Sequence, residues 1–390
     1  MKNRLFVLIL MGAFASGCSR NMVDWSVISE GEIDNWGQTP YDENIILLQH
    51  KEDDNRSPFL SGRPLRQAAQ VSSLGIQAIH VPEHMTALEL IAKLRSTDEY
   101  TFVEPNFLPS LPSVTYRPMS THQIASANSA IAFNDPYESY QWHMDQIQAD
   151  EVSSSYWGED IVVAVIDTGV SEGPDGFHSL IGGYDFINSD NDPSDDHGHG
   201  THVAGTVAQQ TDNGIGVRGV APFASIMPLK SLDEDGIGST LATTQAIEYA
   251  VDNGAHVINL SLVSEVSSTP ERNAVIYAQE AGVAVIAAAG NDGRTMTGVG
   301  YPAAYPESIA VSAVGYNERL TDYSNAGPEI DFAAPGGDVD VDRNGDTYAD
   351  GVLQETIIDG SFNYYFFEGT SMATPHVAGV YAVLMGAGAS

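Results

Sequence analysis

The stretch Gly369-Thr370-Ser371-Met372-Ala373-Thr374-Pro375-His376-Val377-Ala378-Gly379 predicts a tight glycine loop that runs directly into a buried helix. Pro375 is tolerated in the first helical turn, because the N–H that it lacks would have no partner there. Ser371 would then carry its hydroxyl and its own backbone N–H at the helix start, which suits nucleophilic attack and stabilisation of the resulting oxyanion. A structural helix capped by Ser or Thr is the alternative. A base elsewhere in the chain decides between them.

Two earlier stretches supply an acid and a base. The run of apolar and β-branched residues at 161–166 predicts a strand buried on both faces, and it ends in Asp167. An acid at the carboxyl end of a buried parallel strand lies where α/β sheets place their chemistry. A glycine-rich stretch at 197–205 follows and predicts the entry to another helix. An acid, a histidine and a serine therefore follow one another in that order.

These motifs carry a resemblance. Asp167-Thr168-Gly169, His199-Gly200-Thr201-His202-Val203-Ala204-Gly205 and Gly369-Thr370-Ser371-Met372-Ala373 resemble the three signature blocks of the subtilisin-like serine proteases, in that family's order. The resemblance implies that Asp167 is the orienting acid, His199 the general base and Ser371 the nucleophile. In the family's pattern the first histidine of His-Gly-Thr-His is catalytic, so His199 is preferred over His197 and His202.

The same resemblance implies an oxyanion hole. Gly290-Asn291-Asp292-Gly293 follows a predicted buried strand, and the asparagine of this block is the family's side-chain donor. Asn291 would donate its amide N–H alongside the backbone N–H of Ser371. A turn-forming Asn-Asp-Gly is the alternative for the block taken alone.

The fold class follows from the alternation of elements after residue 157. Apolar runs predict strands at 161–166, 225–229, 255–262, 283–288 and 308–314, and helical stretches lie around 200–209, 239–253, 270–282 and 371–386. Such alternation implies a mainly parallel sheet with helices on both faces. The resemblance covers about residues 134–385 and implies an α/β protein with the subtilisin-like three-layer α/β/α sandwich.

Composition limits the classes of partner. The chain has 390 residues, 43% of them hydrophobic, and a formal net charge of −36. That length is ample for one large core and a smaller domain. The strong negative charge disfavours nucleic acid as a partner, because phosphate binding depends on basic residues. The chain's 1 cysteine excludes an internal disulfide framework.

That cysteine ends a predicted leader. Residues 1–18 have a basic start, a short apolar stretch and the box Ala15-Ser16-Gly17-Cys18, and they predict a signal peptide with a lipoprotein-type end. Lipidation of Cys18 would be the chain's only link to a membrane, and an ordinary signal peptide cut nearby is the alternative. Either way we expect export from a bacterial cell, to the envelope or the medium. Residues 19–42 predict a tether.

Residues 43–108 predict a small α+β domain. Thr86-Ala87-Leu88-Glu89 has the form of a capping box ahead of helical spacing, and strand-like runs lie on either side. Residues 100–106 resemble the end of the propeptide inhibitor domain of many subtilisin-like proteases, which implies that the chain inhibits itself. Residues 109–133 predict a solvated linker that contains the processing site. The catalytic domain would span 134–390, with a carboxyl end shorter than in relatives.

Substrate contacts are implied by matching segments. An extended peptide would lie between backbone edges on both sides of the cleft, since such edges bind main chains of many sequences. Val263 and Ser264 stand where the family usually has glycines, which would narrow the primary pocket. The implied substrate-binding residues are Gly236, Gly238, Leu260, Ser261, Leu262, Ala288, Ala289 and Gly290.

Two loops predict structural calcium sites. Residues 211–217 resemble the family's calcium loop, and residues 342–350 carry oxygen donors at alternate positions, a spacing that wraps a hard cation. The second loop lacks a glutamate at its twelfth position, and an acidic solvated loop is the alternative. The implied ligands are Asp175, Asn213, Ile215 and Val217 at the first site, and Asp342, Asn344, Asp346, Tyr348 and Asp350 at the second.

Two other functions compete with a serine protease. His197, His199 and His202 could form a zinc cluster, but a zinc enzyme would not need Asp167 or Ser371. A binding protein that keeps the fold without activity is the other rival. Loss of a triad member would mark it, and all three types of residue are present.

Overall fold

The computed structural model describes residues 36, 39–51, 57–60, 63–119, 134–152, 156–293 and 298–389. The predicted leader, Cys18 and most of the predicted tether lie outside this part of the chain. The described strands are β1 (Tyr41–His50), β2 (Phe59–Leu60), β3 (Arg63–Pro64), β4 (Gln67–Val71), β5 (Ile76–His80), β6 (Tyr100–Phe107), β7 (Thr115–Pro118), β8 (Val162–Asp167), β9 (Ser179–Leu180), β10 (Tyr184–Asp185), β11 (Ser225–Lys230), β12 (Val257–Leu260), β13 (Ala284–Ala288), β14 (Ile309–Val314), β15 (Phe332–Pro335), β16 (Val352–Ile358) and β17 (Ser361–Glu368). The described helices are α1 (Ala87–Arg95), α2 (Trp142–Gln146), α3 (His199–Ala208), α4 (Thr240–Asp252), α5 (Thr269–Glu280) and α6 (Thr370–Gly386), and short 3₁₀ turns span Glu138–Tyr140 and Ala149–Glu151.

A parallel sheet forms the centre of the larger unit. Its 8 strands run in the order β10-β11-β8-β12-β13-β14-β15, with β9 beside β11. Every strand pair in this sheet is parallel. Chains that build such sheets need a crossover between neighbouring strands, and helices supply most of these crossovers.

Helices cover both faces of this sheet. Along β8, Val163 and Val165 pack into one apolar cluster with α3 and α6, whereas Ala164 and Ile166 pack into another with α4 and α5. Successive side chains of a strand point to opposite faces, so a continuous apolar run is buried on both sides. The predicted three-layer α/β/α sandwich is confirmed.

The smaller unit is an antiparallel sheet with one helix. Its strands run in the order β4-β5-β1-β6, and α1 packs on them around Ile46, Leu90 and Val103. Thr86 and Glu89 form the predicted capping box at the start of α1. Strand β1 begins at Tyr41, two residues before the predicted boundary at 43, because Tyr41 and Asp42 pair with the end of β6.

The segment after this unit differs from the prediction. Residues 109–119 are not a solvated linker: Ser110 bridges Ile237 and Val263 of the larger unit, and β7 pairs with β17. Strands β16, β17 and β7 form a separate antiparallel sheet of 3 strands, which the sequence reasoning did not predict. Among the described residues, no helix is both long and apolar enough to cross a membrane.

Candidate active site

Asp167 and His199 meet at the carboxyl end of β8. Asp167 is the last residue of that strand and His199 the first residue of α3. Nδ1 of His199 lies 2.7 Å from Oδ1 of Asp167, and both side chains are fully buried. The same Oδ1 accepts the backbone N–H of Thr168 at 2.8 Å. The carboxylate therefore fixes the imidazole so that Nε2 faces the cleft.

Asp195, which the sequence reasoning missed, holds the start of α3 in place. Its carboxylate accepts the backbone N–H of Gly198 at 2.8 Å and that of Thr201 at 2.9 Å. It also accepts the hydroxyl of Thr168 at 2.8 Å, and this hydroxyl in turn accepts the N–H of Gly200 at 2.9 Å. The free N–H groups of a helix start need such acceptors. Asp195 thus joins the helix that carries His199 to the strand that carries Asp167.

A buried lysine braces the same strand end. Lys230 is 1% exposed, and its ammonium donates to the carbonyl oxygens of Thr168 at 2.7 Å and Leu232 at 2.9 Å. Its charge is balanced by Asp196 at 2.6 Å. A buried cation requires such partners. Lys230 is the last residue of β11 and lies opposite Asp167. Its role depends on the register of the two strands, which the sequence alone does not give.

Ser371 lies in the first turn of α6, close to β12. Its hydroxyl donates to the carbonyl oxygen of Ser261 at 3.2 Å, and the Ser261 hydroxyl donates to the carbonyl oxygen of Ser371 at 3.0 Å. Nε2 of His199 is buried and has no hydrogen-bond partner in the part of the chain that the structure describes. The structure therefore joins acid and histidine, whereas the serine hydroxyl is turned to a backbone carbonyl.

Asn291 connects the helix start to the chain that crosses the cleft. Its amide oxygen accepts the N–H and the hydroxyl of Thr370, each at 2.8 Å. These two donors fix the orientation of the amide, since only its oxygen can accept them. Its nitrogen then donates to the carbonyl oxygen of Ser113 at 2.7 Å. Asn291 thus points a hydrogen-bond donor at a peptide carbonyl beside Ser371.

The residues before Ser113 are held by backbone pairs on both sides. Ser110 exchanges hydrogen bonds with Val263, at 3.0 Å from its N–H and 2.9 Å to its carbonyl oxygen. Opposite, Leu111 donates to the carbonyl oxygen of Gly236, and Gly238 donates to that of Pro109, both at 2.9 Å. Gly236 has φ +72°, a backbone conformation that favours glycine. The segment is bound as an extended peptide between two edges.

The other predicted substrate residues lie at the ends of β12 and β13. Leu260, Ser261 and Leu262 are fully buried around the end of β12, and Ala288 and Ala289 are fully buried at the end of β13. Gly290 follows with φ +106°, and its N–H donates to the hydroxyl of Thr370 at 3.2 Å. Val263, which stands in place of a glycine, supplies the backbone edge that pairs with Ser110.

Comparisons with known proteins identify the family. The model of the subtilase family matches residues 158–390, more than half of the chain. This chain belongs to the subtilase family. It is 41% identical over 266 residues to a thermophilic serine proteinase of Bacillus sp. (strain AK1), an alignment covering 67% of this chain and 61% of that protein. It is 40% identical to thermitase of Thermoactinomyces vulgaris, covering 66% of this subtilase and 86% of thermitase. It is 41% identical to subtilisin E of Bacillus subtilis (strain 168), covering 64% of this subtilase and 61% of subtilisin E.

The first predicted calcium loop brings three of its residues together. In this subtilase the Asn213 amide nitrogen donates to Oδ1 of Asp175 at 2.9 Å, and the Val217 N–H donates to Oδ2 at 2.9 Å. Burial, with Glu355 and Asp135 nearby, raises the pKa of Asp175 to about 7. Ile215 is 42% exposed at the loop tip, where its N–H donates to the Asn213 side chain at 2.7 Å.

The second loop folds on its own side chains. The Asp342 carboxylate accepts the N–H of Gly345 at 2.7 Å, and Oδ1 of Asp346 accepts the N–H of Tyr348 at 2.8 Å. The Asn344 amide donates to the other oxygen of Asp346 at 2.8 Å. Asp350 is fully buried, and its Oδ1 has no hydrogen-bond partner among the described residues.

The three neighbouring histidines face different partners. Nε2 of His202 lies 3.1 Å from the carbonyl oxygen of Val352, and its ring stacks on Phe367 at 4.2 Å. His199 is bound to Asp167, whereas His197 borders the open cleft. Within the described ranges, no three or more His, Cys, Asp and Glu residues form a group that could hold a metal ion. The histidines therefore do not converge on one centre.

Proposed function

We propose that this subtilase is a serine endopeptidase made as a zymogen, with its own chain lying uncut across the substrate cleft. The hydrogen bond from the Asn291 amide to the carbonyl oxygen of Ser113 carries the proposal, because it aims the oxyanion donor at one specific peptide bond. The backbone pairs at Ser110 and Leu111 support it, since they hold the residues just before that bond extended.

The reaction would proceed by acyl transfer. Ser371 turns its hydroxyl from the Ser261 carbonyl to Nε2 of His199, loses its proton to that nitrogen and attacks the peptide carbonyl carbon. Asp167 stabilises the imidazolium through Nδ1. The oxyanion accepts the Asn291 amide and the backbone N–H of Ser371. His199 then gives the proton to the leaving amine, and water hydrolyses the ester by the same route in reverse.

The bond presented in this way joins Ser113 to Val114. Ser113 is therefore the residue before the cut, and Leu111 and Ser110 occupy the third and fourth positions before it. This assignment narrows the processing region from 109–133 to one bond. The small side chain of Ser113 suits a primary pocket that Val263 and its neighbours narrow.

The small N-terminal unit would remain bound as an inhibitor after that cut. Glu104 accepts the N–H of Thr269 at 3.0 Å and also its hydroxyl, at the start of α5. Asn106 accepts the N–H of Leu241 at 3.0 Å, at the start of α4. Two side chains of β6 thus cap two helices of the larger unit. These contacts do not depend on an intact bond after Ser113.

Mass spectrometry of the full chain tests the proposal. We expect a fragment that begins at Val114 and its complement that ends at Ser113, and an uncut chain for Ser371→Ala. A fluorophosphonate should label the cut protein at Ser371 alone. An uncut wild-type chain without labelling would overturn the proposal and leave a binding role for the fold.

We also propose a structural calcium ion at the first loop. Asp175 is 1% exposed beside two further carboxylates, a concentration of negative charge that a divalent cation would offset. Asn213, with its amide turned to present oxygen, and the carbonyls of Ile215 and Val217 would complete the set. A chelator should lower the melting temperature of the Ser371→Ala protein. Asp175→Asn should remove that effect, and the exposed Asp359→Asn should keep it.

We propose a second calcium site in residues 342–350, where Oδ1 of Asp350 has no hydrogen-bond partner among the described residues. The carboxylates of this loop do not form a metal-binding group in the described part of the chain, so the ion would have to draw them together. Asp342, Asn344, Asp346 and the Tyr348 carbonyl would share the ion with it. Tyrosine-sensitised terbium emission from Ser371→Ala protein tests this, since Tyr348 lies within the loop. Tyr364 lies 3.4 Å from Asp175 and would sensitise terbium at the first loop, so the test uses an Asp175→Asn background. There the emission should disappear on adding Asp350→Asn and persist on adding Asp359→Asn.

We propose that the leader at residues 1–18 directs export of the chain and that Cys18 is then lipidated. Metabolic labelling with palmitate in a bacterial host tests lipidation. Incorporation should be lost in Cys18→Ser, and its absence from the wild-type chain would favour the ordinary signal peptide.

A further inference from the structure

The chain after the Ser113–Val114 bond is seated on the larger unit by contacts of its own. Strand β7 pairs with β17, and Thr115, Tyr116 and Arg117 lie opposite Glu368, Phe367 and Phe366. The Met119 N–H continues the ladder by donating to the carbonyl oxygen of Tyr364 at 2.9 Å. Strand β17 leads through Gly369 into the serine helix. The segment therefore lies along the strand that leads to Ser371, on the side that would receive residues after the cut.

Side chains of β7 add specific contacts to this pairing. The Tyr116 ring stacks on Phe367 with centroids 5.0 Å apart and meets the edge of Tyr365 at 5.8 Å. The Arg117 guanidinium donates to the carbonyl oxygen of Val339 and to the Asp340 carboxylate, both at 2.6 Å. Aromatic stacking and a charge-assisted hydrogen bond each strengthen a bound strand.

Met119 anchors the end of the segment. It is 3% exposed and packs in an apolar cluster with Val339, Leu353, Phe366 and Tyr140. Full burial of a methionine side chain is among the larger apolar contributions that one residue makes. This anchor lies six residues beyond the bond that would be cut. None of these contacts is lost when that bond breaks.

We infer that residues 114–119 stay seated after the cut and form a second inhibitory element, so that cutting the Ser113–Val114 bond alone does not open the cleft. The inference rests on the proposed function. The segment remains covalently joined to the larger unit through residues 120–133, so its return after any opening is intramolecular. A substrate must displace it to place residues beyond its own cut bond, and full activity requires its displacement or removal.

Two substrates of different length test this with the self-cut full chain. The short one is the methyl ester of Leu-Pro-Ser, whose leaving group barely enters the occupied half. The long one is a quenched Leu-Pro-Ser-Val-Thr-Tyr-Arg-Pro-Met peptide. Both substrates bind the part of the cleft that the N-terminal fragment occupies, so this fragment inhibits both to the same extent. The ratio of their kcat/KM values is therefore independent of its inhibition.

Weakening the contacts of residues 114–119 should raise the kcat/KM of the long substrate relative to that of the short one. We expect at least a tenfold rise in Met119→Ser and about a threefold rise in Arg117→Ala, which removes an exposed side chain and leaves the core intact. Arg319→Ala, another exposed arginine, should not change the ratio. Turnover of the short ester with the same ratio in all variants would overturn the inference alone. No turnover and no self-cleavage in the wild-type chain would overturn the proposed function.

Hydrogen exchange supplies a readout besides activity. The backbone amides of Thr115, Tyr116, Arg117 and Met119 should exchange at the same rate, within about threefold, in the self-cut chain and in uncut Ser371→Ala protein. Exchange a hundredfold faster after cutting would show that the segment leaves, which overturns the inference.

Discussion

The side-chain amide of Asn291 lies 2.7 Å from the carbonyl oxygen of Ser113, a residue 178 positions earlier in the chain. In the proposed self-cleavage, this donor would select one peptide bond from a long stretch rich in Pro, Ser and Thr. Thr370 fixes the amide from the other side, so the donor cannot turn away without losing two hydrogen bonds.

Asn291→Ala should slow self-cleavage by about 10²- to 10³-fold, the range found on removing this kind of donor in subtilisin, a relative. The rate is measured by quantifying over time the fragment whose first residue is Val114. Asn317→Ala, in an exposed turn, serves as the control. An unchanged rate in the folded variant would show that the amide is only a structural brace.

Asp195→Ala should destabilise the protein by at least about 2 kcal/mol, because it leaves the buried donors of Gly198, Thr201 and Thr168 without an acceptor. Urea unfolding in the Ser371→Ala background measures this. The exposed Asp192→Ala is the matched control. A similar loss for both variants would contradict the positioning role.

Two buried histidines should contribute stability that falls on mild acidification, while the raised pKa of Asp175 contributes in the opposite direction over the same range. Burial lowers the pKa of His376 to about 4 and that of His202 to about 3. An unfolded histidine titrates near pH 6.5, so below that pH the unfolded chain binds protons that the folded chain does not. The stability is therefore present above about pH 6.5 and declines by up to about 1.4 kcal/mol per pH unit for each histidine as pH falls towards 4.

Urea titrations of Ser371→Ala at pH 7 and pH 5 measure that slope. His376→Gln keeps a donor for the Met372 carbonyl, which His376 Nδ1 contacts at 2.7 Å, and an acceptor for His143, 2.8 Å from Nε2. The dependence of unfolding free energy on pH should be smaller in this variant by the contribution of one histidine. Equal slopes would show that His376 does not titrate on unfolding.

Glu104→Ala should weaken the hold of the cut N-terminal unit by about tenfold, because the start of α5 loses its acceptor at Thr269. The measurement is the concentration of cut protein at which peptidase activity reaches half its limit on dilution. The exposed Glu99→Ala should behave like the wild type. No difference between them would place the inhibitory contact elsewhere.

The sandwich was predictable because its strands are continuous apolar runs separated by helical stretches. β8 illustrates this, since its apolar residues are buried on both faces and need no polar partner. Asp167, His199 and Ser371 could be named because their glycine-rich surroundings form recognisable blocks. How those side chains pair depends on rotamers, and the turn of Ser371 towards Ser261 leaves no trace in the sequence.

The missed features depend on contacts between distant segments. All four residues of Thr115–Pro118 are exposed and one of them is a proline, so its sequence does not suggest a strand. Its pairing with β17 makes it one. Asp195 gains its role from donors just after β8 and on α3. In the sequence alone it cannot be told from an aspartate in a solvated loop. Such residues become visible only when the fold brings their partners together.

In the proposed self-cleavage, the covalent link between Ser113 and Ser371 would determine the kinetic order of maturation. Nucleophile and target would share one molecule, so the first turnover would be unimolecular and its half-time would not change with concentration. A single copy, diluted without limit, would mature as quickly as a crowded population.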